Sequence, residues 1–455
     1  MKRITFIALA LLSLNAYSQE HFSGITTSKR VGILNGDMNP SEFANLSSKY
    51  EIQLMAMSIN VSNNKVGFQD LANGDDLESL IFDGKGAVNF DISTAIHGPA
   101  FGMRYKKWGF GFSTKALIKA SIIDLDAELA NALINDNLND VQGLTSVLSN
   151  NNQRVNATTY GEVGISVARN LYQSEKHQFN AGVTLKLLFP GSYANIGLNN
   201  FTGDIIIDAN GASLTNTNSA LNLAYSGNFG SSFSDTDDYM KSVFGGLDGF
   251  ATDLGVDYQL LRADKSYKLK VGASVRNIGS MTFSGDQNVS ENYALNIPSG
   301  QSLDLDAFEN AEGLQDVENV LDNSGFFTKS SSADEFKVKL PTVLNFYADY
   351  NIISKVSITA FLQQKLGDQN ADDQISSTNM FTITPRVTFG PFETFVPIGS
   401  NEISGGTIGL GFRLGGFFLG SNSVLSAVTS DSKQADVYFG FRFGFRKNEK
   451  IEKAK

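Results

Sequence analysis

The feature that most constrains this chain is an alternation of period two that recurs over unusually long runs. Near the end, Val437, Phe439, Phe441, Phe443 and Phe445 fall on one face of an extended backbone. Tyr438, Gly440, Arg442, Gly444 and Arg446 fall on the other. A row of phenylalanines on a strand would aggregate in water, whereas facing lipid it is the surface a strand needs. The pattern recurs where Phe179, Ala181, Val183, Leu185, Leu187 and Phe189 oppose Gln178, Asn180, Gly182, Thr184 and Lys186. It recurs in Leu254 to Leu260, Leu269 to Val275 and Ile408 to Leu414. From Phe336 through Val338, Leu340, Thr342, Leu344 and Phe346 to Ala348 we read one further continuous face. Strands of soluble sandwiches hold about 5–6 residues. These runs, mostly about 9–15, are long enough to cross a bilayer at a tilt.

Composition supports the same reading. Charged residues make up 18%, below the usual quarter, and there are 34 Phe, 14 Tyr and 43 Gly beside 1 Trp. The stretch from Ile403 to Ser430 carries one internal charge, Arg413, but its glycines between Gly405 and Gly420 penalise a helix. Two strands and a turn are expected there. The fold class that follows is all-β: a transmembrane antiparallel β-barrel of about 14 strands, an even number being usual, over residues 49–446. Tight turns such as Lys106-Lys107-Trp108-Gly109 and Gly390-Pro391 alternate with long, extracellular loops.

Met1-Lys2-Arg3, the apolar run Ile4 to Leu14 and the exit Ala16-Tyr17-Ser18 read as a secretory signal peptide, residues 1–18. Export of a barrel places it in the bacterial outer membrane, surrounded by outer-membrane lipid. With no Cys, neither lipid attachment nor a disulfide is expected. Losing Lys2 and Arg3 takes the net charge from -11 to -13, which argues against nucleic acid as a partner.

Three insertions interrupt the pattern. Asp124 to Asn152 has room for a helix, and Gly230 to Gly249 is polar. Ser284 to Glu335 holds eleven acidic residues and one basic residue, Lys329. Within it Leu305, Phe308, Leu314, Val317 and Leu321 recur at helical spacing, suggesting an amphipathic helix on the barrel mouth. The segment reads as a solvated outer loop or as a lid over the lumen.

Chemistry finds little footing. His21, His97 and His177 are far apart, and no nucleophile elbow or phosphate loop is present. No enzyme activity, cofactor or metal is expected. Asp368, Asn370 and Asp372 begin like a calcium loop, but Asp373 stands where glycine is needed and Asn379 where glutamate is needed. That segment reads as a solvated hairpin loop.

The stretch Gly32 to Ala44, with Asn39-Pro40 at its centre and Ser41 in place of the usual alanine, resembles the Asn-Pro-Ala region of the FadL-type fatty-acid channels. The resemblance implies that residues 19–48 form a plug inside the lumen. His97-Gly98-Pro99-Ala100, Val275 to Gly279, Leu340-Pro341 and Gly415 to Asn422 resemble Bacteroidota outer-membrane barrels related to FadL and to type IX secretion accessory barrels. Tyr438, Gly440, Phe443 and Phe445 resemble the β-signal read by the barrel-assembly machinery, which leaves residues 447–455 as a short periplasmic tail. The resemblance implies passive uptake of hydrophobic small molecules. The alternatives are a non-transporting barrel that docks a surface protein, and a general porin. Pro341 is the candidate wall kink, since it removes a ladder donor; a strand edge would also accommodate it.

Overall fold

The computed structural model describes residues 21–74, 76, 80–81, 86–134, 143–208, 211–226, 245–285, 287–308, 311, 313–368 and 371–447. The signal segment, most of the Gly230 to Gly249 insertion and the tail beyond residue 447 lie outside the described residues.

Alternation at these lengths closes into a ring. β1 (Ser48–Asn63) pairs on one side with the last strand, β22 (Gln434–Lys447), and on the other with a strand in two pieces, β2 (Ala87–His97) and β3 (Ala100–Tyr105). Around the wall follow β4 (Trp108–Asp126), β6 (Gln153–Gln173), β7 (His177–Asp208), β9 (Gly249–Leu261) and β10 (Tyr267–Ser284). Next come the split strand β13 (Glu335–Lys339) and β14 (Val343–Ile353), then β15 (Val356–Lys365) and β16 (Met380–Phe389). Two more split strands, β17 (Phe392–Phe395) with β18 (Ile398–Asn401) and β19 (Gly405–Ile408) with β20 (Leu410–Leu414), lead to β21 (Phe417–Ser421). Every pairing in this ring is antiparallel, and the ring holds 14 strands.

The wall is inside out relative to a soluble protein. Val183 and Leu185 are 41% and 46% exposed on the outer face, while Thr184 and Lys186 between them are 6% and 1% exposed. Only lipid makes that arrangement favourable. Short turns at Lys106-Lys107, Ser354-Lys355, Gly390-Pro391 and Gly415-Gly416 lie at the end where β1 begins and β22 finishes. The long connections lie at the opposite end.

One strand outgrows the wall. β7 is 32 residues long, and about 9–11 suffice to span a bilayer. Its far half pairs with β5 (Gly143–Ser149) on one edge and β8 (Gly211–Tyr225) on the other; β8 leads to β11 (Val289–Asp304), and β11 to β12 (Phe327–Ala333). This outer sheet has its own core. The helix Ala127–Ile134 contributes Leu129 and Ala132, packed near Phe201, Ile205 and Leu295.

Four expectations need correcting. The Phe336 to Ala348 run is not one face: Val338 and Leu340 point inward, whereas Leu344, Phe346 and Ala348 point outward. The chain leaves the ladder at Leu340 to Thr342, and the one-residue offset reverses the faces. The Ser284 to Glu335 segment is neither a plain loop nor one helix. It supplies β11, β12, a 3-10 turn at Leu305–Phe308 and an α-helix at Leu314–Asn323, whose Leu321 packs on Leu221, Leu223 and Tyr293 of the outer sheet. Ile403 to Ser430 holds the expected two strands and turn, the first strand split into β19 and β20, but it ends in a helix, Val424–Thr429, after the glycines end. The supposed solvated loop after Asp368 turns inward, burying Gln374 to Thr378.

Candidate functional site

Residues 21–47 occupy the lumen. Ile33, Leu34, Asn39, Phe43 and Leu46 are each at most 1% exposed, although the segment belongs to no strand of the wall. A helical turn, Ile33–Met38, stops at Asn39, and a 3-10 turn, Pro40–Asn45, starts after it. Asn39 caps that turn by accepting from the Ser41 N–H at 3.0 Å, and Pro40 sits where its missing donor costs nothing.

The seat for this turn is made of absent side chains. Gly182 on β7 and Gly255 on β9 are register partners. A Cβ at Gly255 would overlap the Asn39 Oδ1, and one at Gly182 would lie 2.5 Å from the Pro40 carbonyl carbon. Gly109 and Gly111 on β4 make the same room for Phe43. Into this seat Asn39 Nδ2 donates to the backbone carbonyls of Val256 and Ala273 at 2.9 and 3.3 Å. Glu42 pairs with Lys270 and accepts from the Tyr347 hydroxyl. Asn45 Oδ1 accepts from Gln178, Asn180 and Gln259 at 2.8–2.9 Å. Lower down, Arg386 donates to the Gly24 carbonyl and pairs with Glu393.

Above the plug a ladder of alternating charge crosses five consecutive strands. Lys115 on β4 contacts Glu162 on β6 at 3.0 Å, and Glu162 contacts Lys186 on β7 at 3.4 Å. Lys186 contacts Asp253 on β9 at 2.9 Å, and Asp253 lies 4.0 Å from the Arg276 Nε on β10. The plug joins the ladder through Asp37, 3.3 Å from Lys115 and 3.1 Å from His97. Burial alone would raise the Asp37 pKa, but Lys115 and His97 outweigh it and hold the carboxyl well below its ordinary range. A depressed carboxylate stabilises above its unfolded pKa and loses that contribution only as pH falls through the folded value. The plug is therefore expected to stay seated from neutral pH down to about pH 5, checked by amide exchange of Ile33–Met38 across that range.

These groups border a chamber of about 140 Å³. Its lining mixes charged residues, among them Asp37, His97, Lys115 and Glu162, with apolar ones, among them Phe22, Leu34, Leu117, Val343 and Ile375. The upper lumen is closed by an apolar cluster of Leu188, Tyr193, Met281, Phe283, Val338, Leu340 and Ile375. Ile375 comes from the inward-turned loop, which Arg154 ties down by donating to the Gln374 carbonyl at 2.8 Å.

The residues singled out from the sequence fall at different places. Asn39 and Pro40 sit at the plug's main contact with the wall. Pro341 lies at the break in the β10–β14 ladder and borders the chamber; the Asn277 amide donates to its carbonyl at 3.2 Å. Tyr438 and Gly440 face the lumen, where the Tyr438 hydroxyl donates to the Ser23 carbonyl at 2.6 Å. Phe443 and Phe445 face outward, 46% and 50% exposed. The glycine seat and the charge ladder were missed. Gly182, Lys186, Gly255 and Arg276 fall on the small or polar face of their runs and Gly109 in a tight turn, whereas Gly111, Lys115, Glu162 and Asp253 belong to no pattern read from the sequence. Among the described residues no cluster of three His, Asp or Glu is placed to hold a metal.

A family model described as a family of unknown function, DUF5723, matches residues 44–422. The chain belongs to that family. The match starts inside the plug, at Ala44, and runs through the wall to Asn422 on the far side of β21. No curated protein matches this DUF5723 chain by sequence. Solved structures similar to it include a deletion mutant of the TodX monoaromatic hydrocarbon channel, 9% identical with a TM-score of 0.49, covering 95% of this chain and 100% of that one. The toluene transporter TodX of P. putida is 8% identical with a TM-score of 0.41, covering 90% and 93%. A Pseudomonas aeruginosa FadL homologue is 10% identical with a TM-score of 0.36, covering 94% and 98%. At this distance none of them assigns a substrate to the DUF5723 chain.

Proposed function

We propose that the protein is an outer-membrane channel for passive uptake of small amphipathic molecules, closed in this state by its own N-terminal segment. In this reading residues 1–18 are removed on export, residues 19–47 are the gate, and the short turns face the periplasm. β22, with Tyr438, Gly440, Phe443 and Phe445, is the strand handed to the barrel-assembly machinery. The observation that carries the reading is the chamber itself. Its lining combines charged and apolar side chains, and it abuts the wall break at Pro341. A general porin is disfavoured, because the lumen is filled by the plug below and by the apolar cluster above.

The test is native mass spectrometry of the detergent-purified protein, together with solute flux into proteoliposomes. Expected are a retained small amphiphile and saturable flux over baseline ion conductance. A barrel that comes through without any small molecule, and passes none, would sink the channel reading.

A second reading has its own observation. The outer sheet built from β5, β7, β8, β11 and β12 has separate cores and is not needed to close the ring. A barrel that docks a surface protein, as the likeness to type IX secretion accessory barrels implies, would use it. Co-purification of a protein that is lost when β11 and β12 are replaced by a short turn would favour this reading.

A further inference from the structure

Resting on the channel reading, we infer that the chamber takes a ring-sized monocarboxylate and that Arg276 is the residue that recognises its carboxylate.

The ladder cations are not equally occupied. Lys115 has Asp37 at 3.3 Å and Glu162 at 3.0 Å. Lys186 has Asp253 at 2.9 Å and the Asn277 side-chain oxygen at 2.6 Å. Among the described residues, the ion-pair contact of Arg276 is a 4.0 Å approach to Asp253, with Asp37 near enough to feel its charge, and its buried Nε has no hydrogen-bond partner. Asp253 is shared with Lys186 and with the Asn277 backbone N–H at 2.7 Å, and its approach to Arg276 lies beyond hydrogen-bond distance. A guanidinium carries five N–H donors, and leaving a largely buried one short of partners is costly. The planar fork is matched by a carboxylate, which accepts two parallel N–H bonds.

Position supports the assignment. Arg276 lines the chamber, and it precedes Asn277, whose backbone is left-handed at φ 61° and shifts the register where Pro341 leaves the ladder. The guanidinium thus stands where the wall is locally unpaired, in a chamber that Phe22, Leu34 and Ile375 also line. Size sets the rest of the molecule. The chamber's 140 Å³ is close to the roughly 150 Å³ of an engineered cavity that holds one benzene. A carboxylate on a single ring or a short branched chain fits; a long acyl chain does not fit this closed state.

The probes are benzoate and its neutral isostere benzamide, measured by equilibrium dialysis against the full-length purified protein. Wild type is expected to bind benzoate about tenfold or more tightly than benzamide. Arg276→Gln should erase that preference and leave benzamide binding unchanged, and Arg276→Lys should keep part of it. Heat-modifiable gel migration reports whether each variant is a folded barrel. If Arg276→Gln fails to fold, the wild-type preference and its reduction in Arg276→Lys decide. Unchanged benzoate binding in a folded Arg276→Gln overturns the proposal. Equal binding of the two probes to wild type overturns the role of Arg276 and leaves the channel reading standing. Binding of neither overturns the assignment of the chamber to a ring-sized monocarboxylate, and the flux measurement then decides the channel reading.

Discussion

Deleting residues 19–47 and replacing residues 371–378 with a short Gly-Ser turn is expected to open the barrel fully, whereas either change alone should leave it nearly closed. Two closures lie along one lumen. The plug fills the half near the short turns, and Ile375 seals the half near the long loops against Leu188, Met281, Phe283, Val338 and Leu340. Blocks in series do not add: removing one leaves the other limiting the current. In planar bilayers the single variants should stay close to the wild-type baseline. The double variant should show stable unitary steps roughly tenfold larger or more, because a 14-stranded ring is wider than the roughly eight-stranded size whose interior its own side chains fill. Full opening by the plug deletion alone would show that the upper cluster is no barrier. A closed double variant that migrates as a folded barrel would mean that the long outer connections seal it instead.

Lys270→Met should loosen the plug more than any other single conservative change within it or facing it. Glu42 is 3% exposed, and Lys270 is its paired cation; Tyr347 and Asn45 are neutral donors, and Asp257 is a second carboxylate close by, bonded to the same Asn45 amide. Removing the cation leaves a buried carboxylate without compensation, at a cost of about 3–5 kcal/mol. Replacing both members, Glu42→Met with Lys270→Met, should recover much of that, since a buried pair often contributes little net stability over apolar residues of similar volume. Amide exchange across Pro40–Asn45 measures the effect. Protection in Lys270→Met equal to wild type would show that the pair does not hold the plug.

How far the sequence revealed this molecule depends on which face of a strand carried the information. The outer face was legible, because Val183, Leu185, Phe441 and Phe443 face outward and must alternate with residues that do not. The inner face was not. Gly182, Gly255, Gly109 and Gly111 look like ordinary small residues until Asn39, Pro40 and Phe43 are seen to need the space. Lys115, Glu162, Lys186, Asp253 and Arg276 lie up to 161 positions apart in the chain, from 115 to 276, and strand register alone brings them into a line. The reversal of faces at Pro341 was hidden for a different reason. Val338 and Leu340 are apolar because they pack inside, and Leu344 and Phe346 because they face lipid, so the run looked continuous. Of the candidate site, Asn39 and Pro40 were visible by resemblance, whereas the groups that hold them were not.

The length of β7 has a mechanical consequence. At about 3.3 Å per residue, its 32 residues form a rod that joins the outer sheet directly to the wall. Gly182 and Lys186, which face the plug and the ladder, lie on its lower part, and Phe201 and Ile205 anchor the outer core on its upper part. A pull or twist at the outer sheet therefore passes along one covalent strand, through the register shift at Pro190-Gly191 and the left-handed Asn200, before it reaches the plug's seat.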